Sequence, residues 1–375
     1  MENFKKEKVS LWRRIAALAL TVVLSFAMAG CDASAFTPEN NSSTSTAENT
    51  AQSTEQSQPF EMYFIDVGQA LSVLVKCDGQ YMLYDGGNVD DGSLVVSYLQ
   101  SKGVEELQYV FCSHSHEDHV GGLAAALAYF PANHVYCSVT QADTTCFKNF
   151  VKYTQQQGLQ VEVPAVGTTW QLGSATIQML GPVKQYDDPN NMSLVLRIDY
   201  GSTSFLLTGD MESTAERNLI DSGANLKADV LQVGHHGSST SSSYVFMNSV
   251  LPEMSVISCG TNNSYGHPHE ETLSILRDAG VDTYRTDLMG TITIGSDGQN
   301  YTVSSEHYAT DAELNPTASS AASSAAQQAY IGNANSKKFH LPTCSNLPAE
   351  KNQVLFSSYD EAIAAGYSPC SSCIK

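Results

Sequence analysis

One short run of metal-binding side chains constrains this chain more than any other feature. It contains His114, His116, Asp118 and His119, and it directly follows Leu107–Ser113, an apolar segment that predicts a short buried strand. Imidazole and carboxylate groups bind zinc and related divalent metals. A lone surface histidine would carry little meaning, but three histidines and an aspartate within six residues supply enough donors for two ions. The run therefore predicts a metal site at the end of this strand.

The residues around this run alternate between strand and helix patterns. Strands are predicted at 61–66, 70–76, 80–84, 107–113, 175–180, 193–199, 204–208, 230–233 and 254–258. Helices are predicted at 94–101, 122–130, 213–222 and 270–279. Many strands with interspersed helices indicate an α/β or α+β sandwich.

The spacing of the run, strand-His-x-His-x-Asp-His, resembles the signature of the metallo-β-lactamase fold. That resemblance implies an α+β protein with an αββα sandwich, and a hydrolase with two divalent metals, Zn²⁺ or Mn²⁺. It implies that His114 and His116 serve one metal, and that Asp118 and His119 serve the second.

The resemblance also implies ligands from later in the chain. The bridging aspartate of the family is matched by Asp210, which ends the predicted strand beginning at Phe205. The last histidine of the family follows a further strand, and we favour His235 over its neighbour His236. Asp118 and Asp210 would orient the nucleophile as well as bind metal. His236 or His269 is the predicted outer acid of the reaction.

More narrowly, the chain resembles the extracytoplasmic hydrolase domain of the ComEC competence proteins. The resemblance covers roughly residues 59–307 and is carried by five motifs in order: 64–69, 84–87, 190–196, 234–238 and 265–269. Two features depart from the pattern. Ala70 and Leu71 replace a Gly and an Asp, and Asn190 or Asn191 stands near a histidine that many family members have. The missing histidine weakens the first metal site and leaves manganese as an alternative to zinc.

Several motif residues have two interpretations. Asp66 and Asp85 lie at strand ends, where they either cap turns or orient a metal ligand. His267 and His269 flank Pro268; one would touch the substrate or protonate the leaving group, and the other would be a surface residue.

The last part of the chain carries a separate cysteine-rich module. An Ala/Ser-rich linker at 308–328 leads to residues 329–375, which contain His340, Cys344, Cys370 and Cys373. Their spacings are typical of one structural Zn²⁺, although a disulfide such as Cys370–Cys373 is the alternative. The module resembles the metal-binding domain of the DNA-repair protein Ada. His340 stands where Ada has a cysteine, so Ada's methyl-acceptor chemistry is not implied.

The first residues predict export. A basic segment and a short apolar segment end at Cys31, so 1–31 resembles a lipoprotein signal peptide with Cys31 as the lipidated residue. An uncleaved signal anchor is the alternative. Residues 32–58 are polar and predict a flexible tether. We therefore expect a lipid-anchored protein on the extracytoplasmic face of the membrane.

Composition limits how the protein binds its partners. The formal charge is −20, which gives no general electrostatic attraction for polyanions. The ComEC resemblance favours a surface-anchored phosphodiesterase or nuclease acting on DNA. The alternatives are a hydrolase of the same fold acting on a lactam, lactone or other ester, and a non-catalytic surface binding protein. No protein partner is evident.

Overall fold

The computed structural model describes residues 59–314, 330–341, 344–356, 362–363 and 365–374. The predicted signal peptide with Cys31, the tether and most of the Ala/Ser-rich linker lie outside these residues. Among the described helices, none combines the length and the apolar character that crossing a membrane requires.

Fifteen strands form the body of the protein. They are β1 Phe60–Phe64, β2 Val73–Cys77, β3 Gln80–Tyr84, β4 Leu107–Cys112, β5 Ala132–Cys137, β6 Val161–Glu162, β7 Thr169–Leu172, β8 Ala175–Gly181, β9 Val195–Tyr200, β10 Thr203–Leu207, β11 Val230–Gln232, β12 Met254–Ile257, β13 Asp282–Arg285, β14 Ile292–Ser296 and β15 Tyr301–Ser305. One sheet has the order β15-β14-β1-β2-β3-β4-β5-β6, and the other has the order β13-β12-β11-β10-β9-β8-β7.

The described α-helices of the body connect these strands. They are α1 Gly92–Ser101, α2 Glu117–Val120, α3 Leu123–Tyr129, α4 Thr145–Gln156, α5 Ser213–Asp221, α6 Tyr244–Val250, α7 Glu270–Asp278, α8 Thr286–Met289 and α9 Asp311–Leu314. Short 3₁₀ turns occupy Val89–Asp91, Asn190–Met192 and Gly234–Gly237.

Three apolar layers hold the body together. Between the sheets, Phe60 of β1 stacks on Phe205 of β10 with ring centroids 4.7 Å apart, at the centre of the main core. The helices α1, α3 and α4 cover the outer face of the first sheet, and α5, α6 and α7 cover that of the second. Each sheet is buried on both faces, which explains the nearly continuous apolar runs in its central strands. The predicted αββα sandwich is confirmed.

The sequence analysis did not predict strands β5 to β7 and β13 to β15 or helices α2, α4, α6, α8 and α9, and one boundary also differs. Helix α4 is amphipathic, with Phe147 and Phe150 buried, and Thr144 caps its first turn by accepting a hydrogen bond from the Phe147 N–H. Helix α6 begins similarly behind Ser243. The body also extends beyond the predicted boundary at 307, because Leu314 of α9 is buried in the core between the sheets.

The C-terminal residues form a small separate sheet. Its strands are β16 Tyr330–Asn333, β17 Lys338–His340, β18 Gln353–Phe356 and β19 Ser368–Pro369, in the order β18-β16-β17-β19, with a 3₁₀ turn at Glu350–Asn352. Phe339 is its fully buried centre. Tyr330 meets Tyr244 of α6 edge to face at 6.2 Å, so this sheet packs on the body.

The topology gathers the predicted ligands at one edge of the sandwich. Strand β4 is parallel to its neighbours, and β10 to β13 run parallel to one another. The residues after the carboxyl ends of β4, β10 and β11 are those that the sequence analysis singled out. The loops after parallel strands lie at one edge of each sheet, and the packing of the two sheets places the loops after β4, β10 and β11 together.

Candidate metal centres

Four side chains converge at the carboxyl ends of the strands. One ligand atom each from Asp118, His119, Asp210 and His236 lies within 4.8 Å of the others. His119 Nε2 is 3.2 Å from Asp210 Oδ2, and His236 Nε2 is 3.3 Å from Asp118 Oδ2 and 3.5 Å from Asp210 Oδ2. Two imidazoles and two carboxylates form a donor set that suits zinc or manganese.

Unsatisfied atoms in this group test whether a cation fits. Asp210 Oδ1, His119 Nε2 and His236 Nε2 are buried and make no hydrogen bond to any described residue. A buried polar atom without a partner costs about 1–3 kcal/mol. One divalent cation among the four side chains would satisfy all three atoms at once, so the residues fit a metal ion.

Asp85 fixes the orientation of His119. It is fully buried; its Oδ1 accepts the Ser113 N–H at 2.6 Å, and its Oδ2 accepts the Ser113 hydroxyl at 2.7 Å and His119 Nδ1 at 2.8 Å. With the proton on Nδ1, the Nε2 lone pair of His119 faces the metal group. Asp66 makes no such contact, and its Oδ1 accepts the Gly68 N–H at 3.1 Å.

Two glycine pairs, Gly86-Gly87 and Gly121-Gly122, let the turn that contains Asp85 approach helix α2, which carries Asp118 and His119. Gly86 N–H donates to the His119 carbonyl at 2.7 Å. A Cβ on Gly122 would lie 2.0 Å from the Gly86 carbonyl oxygen, and a Cβ on Gly86 would lie 2.5 Å from the backbone nitrogen of Leu123. These glycines are therefore required by close backbone contact.

The structure reverses our preference for His235 over His236. His236 is buried and its Nδ1 donates to the Ser258 carbonyl at 2.9 Å, which leaves its Nε2 lone pair facing Asp118 and Asp210. His235 is partly exposed, with its Nδ1 3.4 Å from Glu212 Oε1 and its Nε2 3.8 Å from Asp210 Oδ2. Both residues have positive φ, so the turn sends their side chains in different directions.

His114 and His116 lie beside the group of four but outside it. His114 Nε2 is 3.0 Å from His116 Nδ1, and the His114 ring centroid is 4.2 Å from that of His119. The Ser113 hydroxyl, 3.0 Å away, contacts His114 Nδ1. These two histidines therefore lie next to the group of four, and no described group of three or more metal-binding side chains includes them.

The 3₁₀ turn that contains Asn190 and Asn191 lies near the same site. Asn190 is buried and its Oδ1 has no hydrogen-bond partner among the described residues. Asn191 is tied to Glu212, whose backbone N–H donates to the Asn191 Oδ1 at 3.3 Å. Ser193, just after the turn, accepts the Asp210 N–H at 3.0 Å. The sequence analysis missed the supporting roles of Ser193 and Ser113.

Burial and neighbouring charges shift the pKa values of the site residues in opposite directions. Burial would raise the pKa of Asp210, but His119 and His236 lower it well below its ordinary value. Burial lowers the pKa of His114 well below its ordinary value, and the neighbouring His119 acts in the same direction. For His119, burial is outweighed by Asp210, Asp118 and Asp85, which together raise its pKa well above the ordinary value.

Both ring nitrogens of His269, one of the two predicted acids, form hydrogen bonds with backbone groups. Its Nδ1 accepts the Ser239 N–H at 3.0 Å, so its Nε2 carries the proton and donates to the Tyr265 carbonyl at 3.1 Å. His269 therefore fastens two loops together. His236, the other predicted acid, belongs to the metal group.

His267, rather than His269, faces the site histidines. Its ring lies parallel to that of His236 at 6.3 Å, and burial together with His236 lowers its pKa to about 4. Gln69 accepts the Gly260 N–H at its Oε1, which directs its Nε2 to donate to His267 Nδ1 at 3.2 Å. The proton of His267 is therefore on Nε2. Gln69 belonged to the first motif, but the sequence alone suggested no role for it.

The C-terminal sheet carries the second cluster predicted to bind metal. His340, Cys344, Cys370 and Cys373 each place a ligand atom within 4.8 Å of the others, and His340 Nδ1 is 3.4 Å from Cys344 Sγ. All eight described cysteines are free thiols, so no disulfide joins Cys370 to Cys373. Three thiols and one imidazole match the ligand set of a structural zinc ion.

Sequence comparison finds relatives among the competence proteins. The competence protein ComA of Neisseria gonorrhoeae is 35% identical over 233 residues, 61% of this chain and 31% of that protein. ComE operon protein 3 of Bacillus subtilis is 29% identical over 253 residues, 62% of this chain and 32% of that protein. The chain thus spans about a third of the length of these relatives.

A solved structure and two family models complete the comparison. The metallo-beta-lactamase fold protein YhfI from Bacillus subtilis aligns with a TM-score of 0.42 at 12% identity, over 65% of this chain and 100% of that one. Residues 317–375 match the metal binding domain of Ada. Residues 65–258 match the metallo-beta-lactamase superfamily, and the chain belongs to that superfamily.

Proposed function

We propose that this metallo-hydrolase is a metal-dependent phosphodiesterase that cleaves DNA on the extracytoplasmic face of the membrane. The observation that carries the proposal is the set of buried, unsatisfied donor atoms on His119, Asp210 and His236. The similarity to competence protein ComA supports DNA as the substrate. Lipid anchoring at Cys31 rests on the sequence pattern of 1–31.

Each residue of the site has a distinct part in this proposal. Asp118, His119, Asp210 and His236 would hold one divalent metal, and His114 with His116 would contribute to a second. When bound, the metals supply Lewis-acid polarisation of a phosphoryl oxygen and activation of water. Asp85 and the Ser258 carbonyl keep both ligand histidines in the tautomer that presents Nε2.

His267 is the proposed hydrogen-bond donor to the substrate. Because its Nδ1 accepts from Gln69, its Nε2 carries a proton that a substrate oxygen can accept. It makes no part of the metal group, so replacing it should spare metal content. His267→Ala should therefore lower turnover while the protein retains its full metal complement.

The first test is metal analysis of the purified mature protein, followed by a substrate screen. The screen compares single- and double-stranded DNA, bis-p-nitrophenyl phosphate and a chromogenic cephalosporin. We expect metal-dependent cleavage of the phosphodiesters and little or none of the cephalosporin. Asp210→Ala should lose metal and turnover by orders of magnitude, because Asp210 lies between both ligand histidines.

Other outcomes of this screen separate the remaining functions. Cleavage of the cephalosporin without cleavage of any phosphodiester would contradict the DNA proposal and favour a small-molecule hydrolase of the same fold. A metal-loaded protein with no hydrolytic activity would favour a binding role. Asp210→Ala with full metal and full activity would show that the site lies elsewhere.

A further inference from the structure

An exposed aromatic ring lies one ring away from the metal group. Tyr265 is 67% exposed, and its ring lies nearly parallel to that of His267, with centroids 5.6 Å apart and planes 23° apart. His267 in turn lies parallel to His236 of the metal group. The rings of His236, His267 and Tyr265 thus form a row that runs from the metal group to solvent, with Tyr265 at its outer end.

The loop that carries Tyr265 is held firmly in place. The Asn263 side chain donates to the carbonyls of Gly260 and His267 at 2.9 and 2.6 Å, and it accepts the N–H groups of Tyr265 and His267 at 3.1 and 3.0 Å. His269 donates to the Tyr265 carbonyl. The backbone groups of Gly260, Tyr265 and His267 are therefore fixed by side chains, while the ring of Tyr265 stays largely exposed. The hydrogen bonds hold the loop in place without burying the ring.

The charge of the chain limits what can bind on this surface. At −20, the protein gives no general attraction to a phosphate backbone. Stacking of a nucleobase on an aromatic ring needs no positive charge and accepts any base. A base in a duplex is already stacked between its neighbours, whereas an unpaired base has a free face. An exposed ring one residue removed from the metal group therefore favours a single strand.

We propose that Tyr265 is a stacking platform for the unpaired nucleobase beside the scissile phosphodiester, and that the substrate is single-stranded DNA. This inference rests on the proposed phosphodiesterase function and specifies its substrate. Stacking on one aromatic side chain contributes about 5- to 150-fold to the binding of a base. The ring of Tyr265 contacts His267, and neither residue belongs to the metal group. Replacing Tyr265 should therefore leave the metal content unchanged.

The experiment compares Tyr265→Ala, Tyr265→Phe and Tyr129→Ala in the full mature protein. Tyr129 is a matched control, since it is 57% exposed and lies on α3 away from the site histidines. On a single-stranded oligonucleotide, Tyr265→Ala should lower kcat/KM about 5- to 150-fold, while the other two variants stay near the wild type. On the duplex of the same sequence, the wild type should be slower than on the single strand.

An abasic residue scanned along the oligonucleotide identifies the base involved. At one position it should slow the wild type as much as Tyr265→Ala does, and it should not slow Tyr265→Ala further. Equal kcat/KM for Tyr265→Ala and the wild type on the single strand would overturn the platform. So would a wild-type preference for the duplex.

Binding separates failure of the platform from failure of the proposed function. In an Asp210→Ala background, fluorescence anisotropy reports binding of the labelled single strand with and without Tyr265→Ala. If the wild type cleaves no DNA but binding still depends on Tyr265, the phosphodiesterase proposal fails and the platform stands. If cleavage occurs but neither binding nor kcat/KM depends on Tyr265, only the platform fails.

Discussion

Asp85→Asn should weaken metal binding while the protein remains folded. Asparagine keeps the size of aspartate and one oxygen, which can still accept the Ser113 N–H. Its amide NH₂ then faces His119 Nδ1, and an NH₂ group cannot accept a hydrogen bond. His119 must accept instead, so its proton moves to Nε2. That atom is the one that faces Asp210 and would bind the metal.

The size of the effect follows from these contacts. Loss of a carboxylate behind a ligand histidine typically costs 10- to 100-fold in metal affinity, about 1.4–2.7 kcal/mol. Asp85 also accepts three hydrogen bonds as a buried charged group, each contributing about 1.5–3 kcal/mol, and asparagine replaces only part of them. We therefore expect the free energy of unfolding to fall by about 1–3 kcal/mol, with a native circular dichroism spectrum at 25 °C.

The assay is a competition titration with Mn²⁺ and a chromophoric chelator. Manganese favours nitrogen and oxygen donors, so it reports the site in the body rather than the cysteine cluster. Asp66→Asn is the matched control, because Asp66 contacts the Gly68 backbone and no described site histidine. Wild-type Mn²⁺ affinity in Asp85→Asn would refute this reasoning, as would equal weakening by Asp66→Asn.

Three further predictions concern other parts of the chain. Cys31→Ala should release the protein from membranes or leave the precursor uncleaved; unchanged fractionation and migration would contradict lipid anchoring. Cys370→Ser should lose one zinc ion per chain by native mass spectrometry, whereas a wild-type mass two hydrogens lower without metal would indicate a disulfide. Burial raises the pKa of Glu216 from 4.5 to about 7, against the opposing hydrogen bonds from Ser243. The folded state therefore binds this proton more tightly than the unfolded chain, and stability should fall as pH rises from about 4.5 to 7, by up to about 3 kcal/mol. Urea unfolding of Glu216→Gln at pH 5.5 and 8 should lack this slope; an unchanged slope would assign it to other groups.

The site residues that could be predicted from the sequence are those that directly follow a strand. Asp118 and His119 follow a buried strand within one short run, and Asp210 ends a second strand. Strands β4 and β10 belong to different sheets, and the packing of the two sheets brings their ends together. Apolar runs of strand length that alternate with helical segments predicted an α/β or α+β sandwich, whereas the αββα arrangement was implied by the resemblance to the metallo-β-lactamase fold. Helix α4 escaped because its apolar positions are few and its cap at Thr144 is inconspicuous in the sequence.

The parts that the sequence did not predict depend on backbone conformation. His235, His236 and Gly237 all have positive φ, and this run of left-handed residues decides which imidazole turns inward. No pattern of residue types distinguishes the two histidines beforehand. Asp85 and Asp66 posed the same difficulty, since both follow strands. Asp85 contacts His119 Nδ1 because the backbone of Gly86 packs against helix α2, and the sequence does not reveal this contact.

The charges of the protein limit the sources of its affinity for a polyanion. Arg197, Arg277 and Arg285 are each paired with a carboxylate, so they are not available to phosphates. Binding to single strands loses affinity with salt in proportion to the number of phosphates neutralised by basic residues. On an acidic protein in which these three arginines are paired, we expect few phosphate contacts, and the proposed affinity would come from the metal group and from stacking on Tyr265. Cleavage by this protein should therefore tolerate moderate salt that would inhibit a basic nuclease. A steep loss of kcat/KM between 50 and 200 mM salt, of about 10³-fold or more, would instead require a basic groove that engages many phosphates.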